Sequence, residues 1–153
     1  MTTYLLDTNV LLRSCDPNSP WQALADASVT QLLGRSDQLY ITSQNIIEFW
    51  VVATRPAQVN GLGWSVEQTR TEIQQILNQF PLLEETSQIF PYWFNLVTSY
   101  QFQGKRVHDV RLVAVMLAHG VTHLLTFNPD DFRNINEIVV VHPQAIANPE
   151  AED

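Results

Sequence analysis

Cysteine is almost absent from this 153-residue chain. Cys15 stands alone, which excludes an internal disulfide and any multi-cysteine metal centre. Positive charge is also scarce: eight lysines and arginines stand against sixteen aspartates and glutamates, for a formal net charge of −8. A protein that coats nucleic acid carries a basic surface, so that class is disfavoured. An enzyme gripping a short stretch of RNA through a few arginines is not. No apolar run approaches the length that spans a bilayer, and no repeat or low-complexity tract divides the chain. No leader peptide is expected, because an acid at Asp7 interrupts the first apolar stretch. A cytoplasmic protein without membrane contact is the simplest expectation.

What is present argues for a folded core. Hydrophobic residues make up 45% and aromatics 10% of the chain, which is a globular composition. One domain is expected over residues 1–147, with 148–153 as a short acidic tail. The elements alternate. Residues 3–6 read as a buried strand, and 38–42 (QLYIT) as a second. Ser19-Pro20 has the form of an N-cap followed by an N1 proline, and Gly34 of the residue that closes that helix. Ser43 is expected to cap QNIIEFWVVATR, which stops before Pro56. A turn-rich loop, PAQVNGLGW, precedes a helix opened by Ser65 and running to about Phe80. A short strand near Leu82–Glu84, the aromatic helix IFPYWFNLVTSY and the apolar helix VHDVRLVAVMLAHG follow. HLLTF and EIVVV are the last two strands. Strands separated by helices predict a parallel sheet covered on both faces.

The acids fall at special places in that pattern. In YLLDTNVLL, Asp7 ends the first strand between two buried segments, and a buried carboxylate is costly unless it is paired, hydrogen-bonded or bound to a cation. Asn128, Asp130 and Asp131 follow HLLTF, Asp109 opens a buried helix, and Glu48 lies in the second turn of the helix after strand two. Ligands of an open parallel sheet gather beyond the carboxyl ends of its strands. Four distant pieces of chain therefore deliver oxygen ligands toward one end of the sheet. Gathered carboxylates repel unless a cation sits among them, and oxygen-only ligation suits Mg²⁺ or Mn²⁺. Each acid also has a local role open to it. Asp7 can cap the turn that follows, Glu48 can serve the start of its helix, and Asp109 suits the helix dipole. Asp130 and Asp131 can be loop acids. Only their joint placement favours a site.

The blocks LLDTN (5–9), Glu48 within NIIEFW, HDVRLVAVMLAHG (108–120) and LLTFNPDDF (124–132) together resemble the PIN-domain nucleases, specifically the VapC-type toxins of toxin–antitoxin pairs. The resemblance covers nearly the whole chain. It implies a PIN-like three-layer α/β/α sandwich with a small central parallel sheet, which binds Mg²⁺ or Mn²⁺ and hydrolyses RNA phosphodiesters. It also implies a homodimer and a cognate antitoxin partner. Asp7, Glu48 and Asp109 match the family's acidic ligands. Many members carry an acid where this chain has Asn128, so Asp131 is taken as the fourth acid, with Asp130 as its competitor. Thr8, Asn9 and Asn128 are auxiliary candidates. Two metal ions would clamp both reacting oxygens, and water is the expected nucleophile.

Lys105, Arg106 and Arg111 surround Asp109 and are the RNA-phosphate candidates, the alternatives being neutralisation of the acids or solvated loop charge. His108 is read as structural and His119 as a cap or surface contact, while His123 and His142 lack metal-binding spacing. Cys15 is read as a packed side chain. Phe90, Tyr92, Trp93 and Phe94 fit a core or protein interface better than base stacking. Three rival functions stand: a PIN nuclease of RNA processing, a catalytically silent PIN-like binding module, and a Mg²⁺ phosphatase with an aspartyl nucleophile. The last needs a second acid two residues after Asp7, where this chain has Asn9.

Overall fold

Tyr4, Leu5 and Leu6 are buried at consecutive positions of strand β1, Thr3–Leu6. Tyr4 and Leu6 point into one apolar cluster and Leu5 into another. Alternation across the pleat accounts for this, because a strand covered on both faces needs apolar residues throughout. The computed structural model describes residues 1–148. The acidic tail expected over 148–153 therefore lies, from 149 onward, outside the described residues.

β1 is the middle strand of a five-stranded sheet. With β2 (Gln38–Thr42), β3 (Leu82–Leu83), β4 (His123–Leu125) and β5 (Val139–Val141), the spatial order is β3-β2-β1-β4-β5. Every pairing is parallel, with Tyr4 opposite Leu39 on one side and His123 on the other. Helices α1 (Thr8–Cys15), α2 (Gln22–Gly34), α3 (Ser43–Thr54), α4 (Val66–Gln79) and α7 (Pro143–Ala147) cover the Tyr4–Leu6 face. Helices α5 (Ile89–Tyr100) and α6 (Arg106–His119) cover the Leu5 face. The three-layer α/β/α sandwich is thus the observed architecture. Among the described residues, no helix is long and apolar enough to cross a membrane.

The middle of helix α6 is apolar around its circumference because it is enclosed. Leu112, Val113, Ala114, Val115 and Met116 are all at most 1% exposed. Gly120, at φ +71°, ends it in the left-handed conformation glycine favours.

Local capping departs from expectation in three places. Ser19 does not cap α2; its hydroxyl accepts from the Trp21 N–H at 3.1 Å, and the helix begins at Gln22. Gly34 is the last helical residue, and the left-handed position falls on Ser36 at φ +65°. Thr42 caps α3 in place of Ser43. An N-cap needs extended backbone, and Thr42, the last residue of β2, has it. Its hydroxyl accepts from the Asn45 N–H at 3.0 Å, while Asn45 Oδ1 accepts from the Thr42 N–H at 2.8 Å. Helices α1 and α7 were not anticipated, being only 8 and 5 residues long.

Candidate active site

The strand order turns at β1, with β2 and β3 on one side and β4 and β5 on the other. That switch point opens a crevice beyond the strand ends. Asp7 and Thr126 are the first residues past β1 and β4, and the Asp7 N–H donates to the Leu125 carbonyl at 2.9 Å. Asp7 is both a cap and a crevice acid. As N-cap of α1, its Oδ1 accepts from the Thr8 N–H at 2.7 Å. Its Oδ2 accepts from the Thr126 hydroxyl at 2.8 Å and, at 3.4 Å, from Asn9 Nδ2. The cap thereby fixes the carboxylate.

Thr126, fully buried, also accepts from Asn9 Nδ2 at 3.3 Å and from the Asn128 N–H at 3.0 Å. Its one donor and two acceptor positions are therefore all used. Asn9 Oδ1 accepts from the Phe127 N–H at 3.2 Å. Asn9 and the backbone of Asn128 thus support the Asp7–Thr126 pair.

Glu48 is set by a second network. Asn45 Nδ2 donates to the Thr8 hydroxyl at 3.0 Å, and Thr42 Oγ1 donates to Asn45 Oδ1 at 3.0 Å; all three residues are buried. This ties the start of α3 to the start of α1, and Glu48 follows one turn after Asn45. Gln44 Nε2 then donates to Glu48 Oε1 at 2.9 Å and to the His108 carbonyl at 2.7 Å. Gln44 thereby links Glu48 to the first turn of α6, where Asp109 sits. Sequence reasoning missed Thr126, Asn45 and Gln44. The capping spacing Thr42-x-x-Asn45 was a usable signal for one of them.

The acids act on one another through space. Burial, above all, raises the Asp7 carboxyl from 3.8 to about 6; Glu48 and Asp131 raise it further, against the Thr126 and Thr8 hydrogen bonds. Asp109 is also raised to about 6, first by burial and then by Asp7 and Asp131, against Arg106 and His108. Glu48 is raised by burial and by Asp109, while the Gln44 bond opposes the shift. Asp130 is engaged elsewhere, 2.8 Å from Arg133 in an exposed ion pair. Among the described residues, no three His, Cys, Asp or Glu side chains converge closely enough to hold a metal ion. In chemistry the donor set still fits a divalent cation: hard oxygens, partly buried, whose charged forms are disfavoured by burial and mutual repulsion.

The three cations of the α6 region differ. Arg111 is committed to Glu85 through Nη2 at 2.6 Å, a bond that holds Glu85 below the usual carboxylate range. Arg106 Nη2 donates to the Asp131 carbonyl at 2.9 Å and its guanidinium lies 4.7 Å over Phe102. Lys105 lines a cleft of about 630 Å³ with Glu48, Glu85, His108 and Arg111. His119 Nε2 meets the Glu84 carbonyl at 2.7 Å, and His123 Nδ1 meets Thr122 Oγ1 at 2.7 Å. Burial pushes the Cys15 thiol up to about 12, which makes it unreactive. Of the aromatic run, Trp93 is held by a 2.7 Å bond to the Val107 carbonyl, whereas Phe90 and Phe94 stack on each other in the open.

The family model described as PIN domain matches residues 4–138. Among solved structures, the chain is similar to VapBC2 from Rickettsia felis bound to a DNA fragment from their promoter. That match has a TM-score of 0.69 at 17% identity and covers 91% of this chain and 97% of that one. VapBC-1 from nontypeable Haemophilus influenzae matches with a TM-score of 0.64 at 19% identity, covering 92% and 98%. A toxin–antitoxin complex from Klebsiella pneumoniae matches with a TM-score of 0.63 at 20% identity, also covering 92% and 98%. At such identities the likeness is one of fold. No curated protein sequence matches the chain.

Proposed function

The chain belongs to the PIN domain family, and from that premise we propose that it is a metal-dependent endoribonuclease that hydrolyses RNA phosphodiester bonds. The observation that carries the reading is electrostatic. Asp7 and Asp109, from different elements, are both lifted to about 6, and Asp131 contributes to each. An arrangement this unfavourable without a counter-ion serves chemistry more readily than stability.

Asp7, Asp109, Glu48 and Asp131 are the residues that would hold Mg²⁺ or Mn²⁺. The bound cation supplies an activated water at neutral pH and neutralises charge growing on the phosphate. The chain's own contribution is positional. Thr126 and the Thr8 N–H hold the Asp7 carboxylate in one rotamer, Gln44 holds Glu48, and Arg106 braces the backbone of Asp131. Asp131 is the fourth acid in this reading because Asp7 and Asp109 both feel its charge, whereas Asp130 pairs with Arg133. Lys105, on the lining of the same cleft as Glu48, is the cation of the α6 region best disposed to meet RNA phosphate.

Solved proteins of like fold are VapBC and toxin–antitoxin complexes, which supports a toxin restrained by a cognate antitoxin; the same reading makes it a cytoplasmic homodimer. The test is cleavage of a mixed RNA pool by the purified chain with Mg²⁺ or Mn²⁺, with EDTA, and with Asp7→Asn. Cleavage lost in both controls is expected. Cleavage that survives either one refutes the assignment, and folded protein that neither cleaves RNA nor binds Mn²⁺ leaves the silent binding module.

A further inference from the structure

Arg13 lies in the last turn of α1 with its guanidinium 4.3 Å over the Phe127 ring and 5.7 Å from the Trp21 ring. A helix C-terminus favours a cation on its own, yet that does not account for the platform. The Phe127 and Trp21 rings, 6.4 Å apart, flank the guanidinium on two sides, and among the described residues no hydrogen-bond acceptor or carboxylate takes its N–H groups. Arg111, Arg106 and Arg133 each have such a partner. Trp21, 48% exposed, leaves the outer side of the platform open to solvent.

The platform is joined to the acidic crevice. Asn9 and Arg13 are four residues apart on one helix face, roughly 5–6 Å between Cβ atoms. Asn9 takes the Phe127 N–H, and Thr126, directly before Phe127, donates to Asp7. We propose that Arg13, braced on Phe127 and Trp21, binds a phosphate of the RNA strand next to the one cleaved at Asp7. A guanidinium braced against these rings presents coplanar N–H donors that match two phosphate oxygens. Bracing also reduces the side-chain entropy lost on binding. In a chain of net charge −8, such a fixed cation draws a polyanion to an acidic site that otherwise repels it.

This inference rests on the nuclease reading, and the experiment separates the two. KM and kcat for a short, labelled, mixed-sequence single-stranded RNA are measured with Mn²⁺ at several salt concentrations, for wild type, Arg13→Gln and Arg13→Lys. Arg13→Gln is expected to raise KM about tenfold with kcat little changed, the scale of one charged hydrogen-bonding group. The slope of log KM against log salt should fall by about 0.7, as for one phosphate contact on a single strand. Arg13→Lys should keep most of that slope. Unchanged KM and slope in a folded Arg13→Gln overturns the proposal. So does a loss of kcat and melting temperature without a change in slope, which marks a purely structural cation. If Arg13→Gln instead abolishes only the binding of a glutamate-rich peptide, the site belongs to a protein partner and the RNA assignment falls. A folded wild type that neither cleaves this RNA nor binds Mn²⁺ refutes the nuclease reading itself, and the Arg13 proposal falls with it.

Discussion

Raising the pH of the metal-free protein should weaken it, and Asp7 should account for much of the loss. Its carboxyl is raised from 3.8 to about 6, chiefly by burial. The folded state therefore holds that proton more tightly than the unfolded chain does. The associated stability is fully present below pH 3.8 and is lost as pH rises through about 6. A shift of about two units at 1.36 kcal/mol per unit amounts to about 3 kcal/mol. The assay is urea unfolding in EDTA across the range from about pH 4 to pH 8, followed by the fluorescence of the four tryptophans, for wild type and Asp7→Asn. The asparagine cannot titrate. Its amide also faces a Thr126 hydroxyl whose acceptor positions are already filled by Asn9 and the Asn128 N–H, an offset of about 1–2 kcal/mol that does not vary with pH. The growing gap between the two curves isolates the charge. Between the acid and alkaline ends of the range the difference between the two curves should shift by about 3 kcal/mol in favour of the variant; curves that stay parallel refute the electrostatic account of the site.

Further outcomes are expected from the same geometry. Thr126→Val keeps the shape but removes the donor to Asp7 and the acceptor for Asn9 and Asn128, so urea unfolding should show a loss of about 1–3 kcal/mol. RNA cleavage should fall with it, and a variant as stable and active as wild type removes Thr126 from the site. Asp131→Asn should abolish cleavage and Asp130→Asn should leave it intact; the reverse pattern moves the fourth acid to Asp130. Mn²⁺ should raise the melting temperature of wild type at pH 8 and have little effect on Asp109→Asn. An equal rise in both places the ion elsewhere.

Much of the fold was legible because its signals are local. The consecutive apolar residues of β1 and β2, the apolar run Leu112–Ala118 of α6 and Gly120 after its end are all short-range patterns, and each element formed where the pattern stood. Misplaced details came from competition between adjacent residues for one role. Thr42 and Ser43 both suit an N-cap, and the extended backbone at the end of β2 decided for Thr42. Helices α1 and α7 were too short for periodicity to reveal.

The sequence by itself determined where the candidate acids fall along the chain. Asp7 ends a buried strand and Asp109 opens a buried helix, and a carboxylate so placed is costly unless something compensates its charge. Only the tertiary structure decided how the acids are held and which of the two loop acids stands near the others. Thr126 is 119 residues from Asp7 and becomes its donor through the parallel pairing of β1 with β4. Asn45 reaches Thr8 across 37 residues. Asp130 and Asp131 are indistinguishable in sequence, yet the short 3-10 turn at Pro129–Asp131 leaves one beside Arg133 and the other in the field of Asp7 and Asp109. Hydrogen bonds and electrostatic fields depend on distance in space, and chain separation carries no record of that distance until the sheet is assembled.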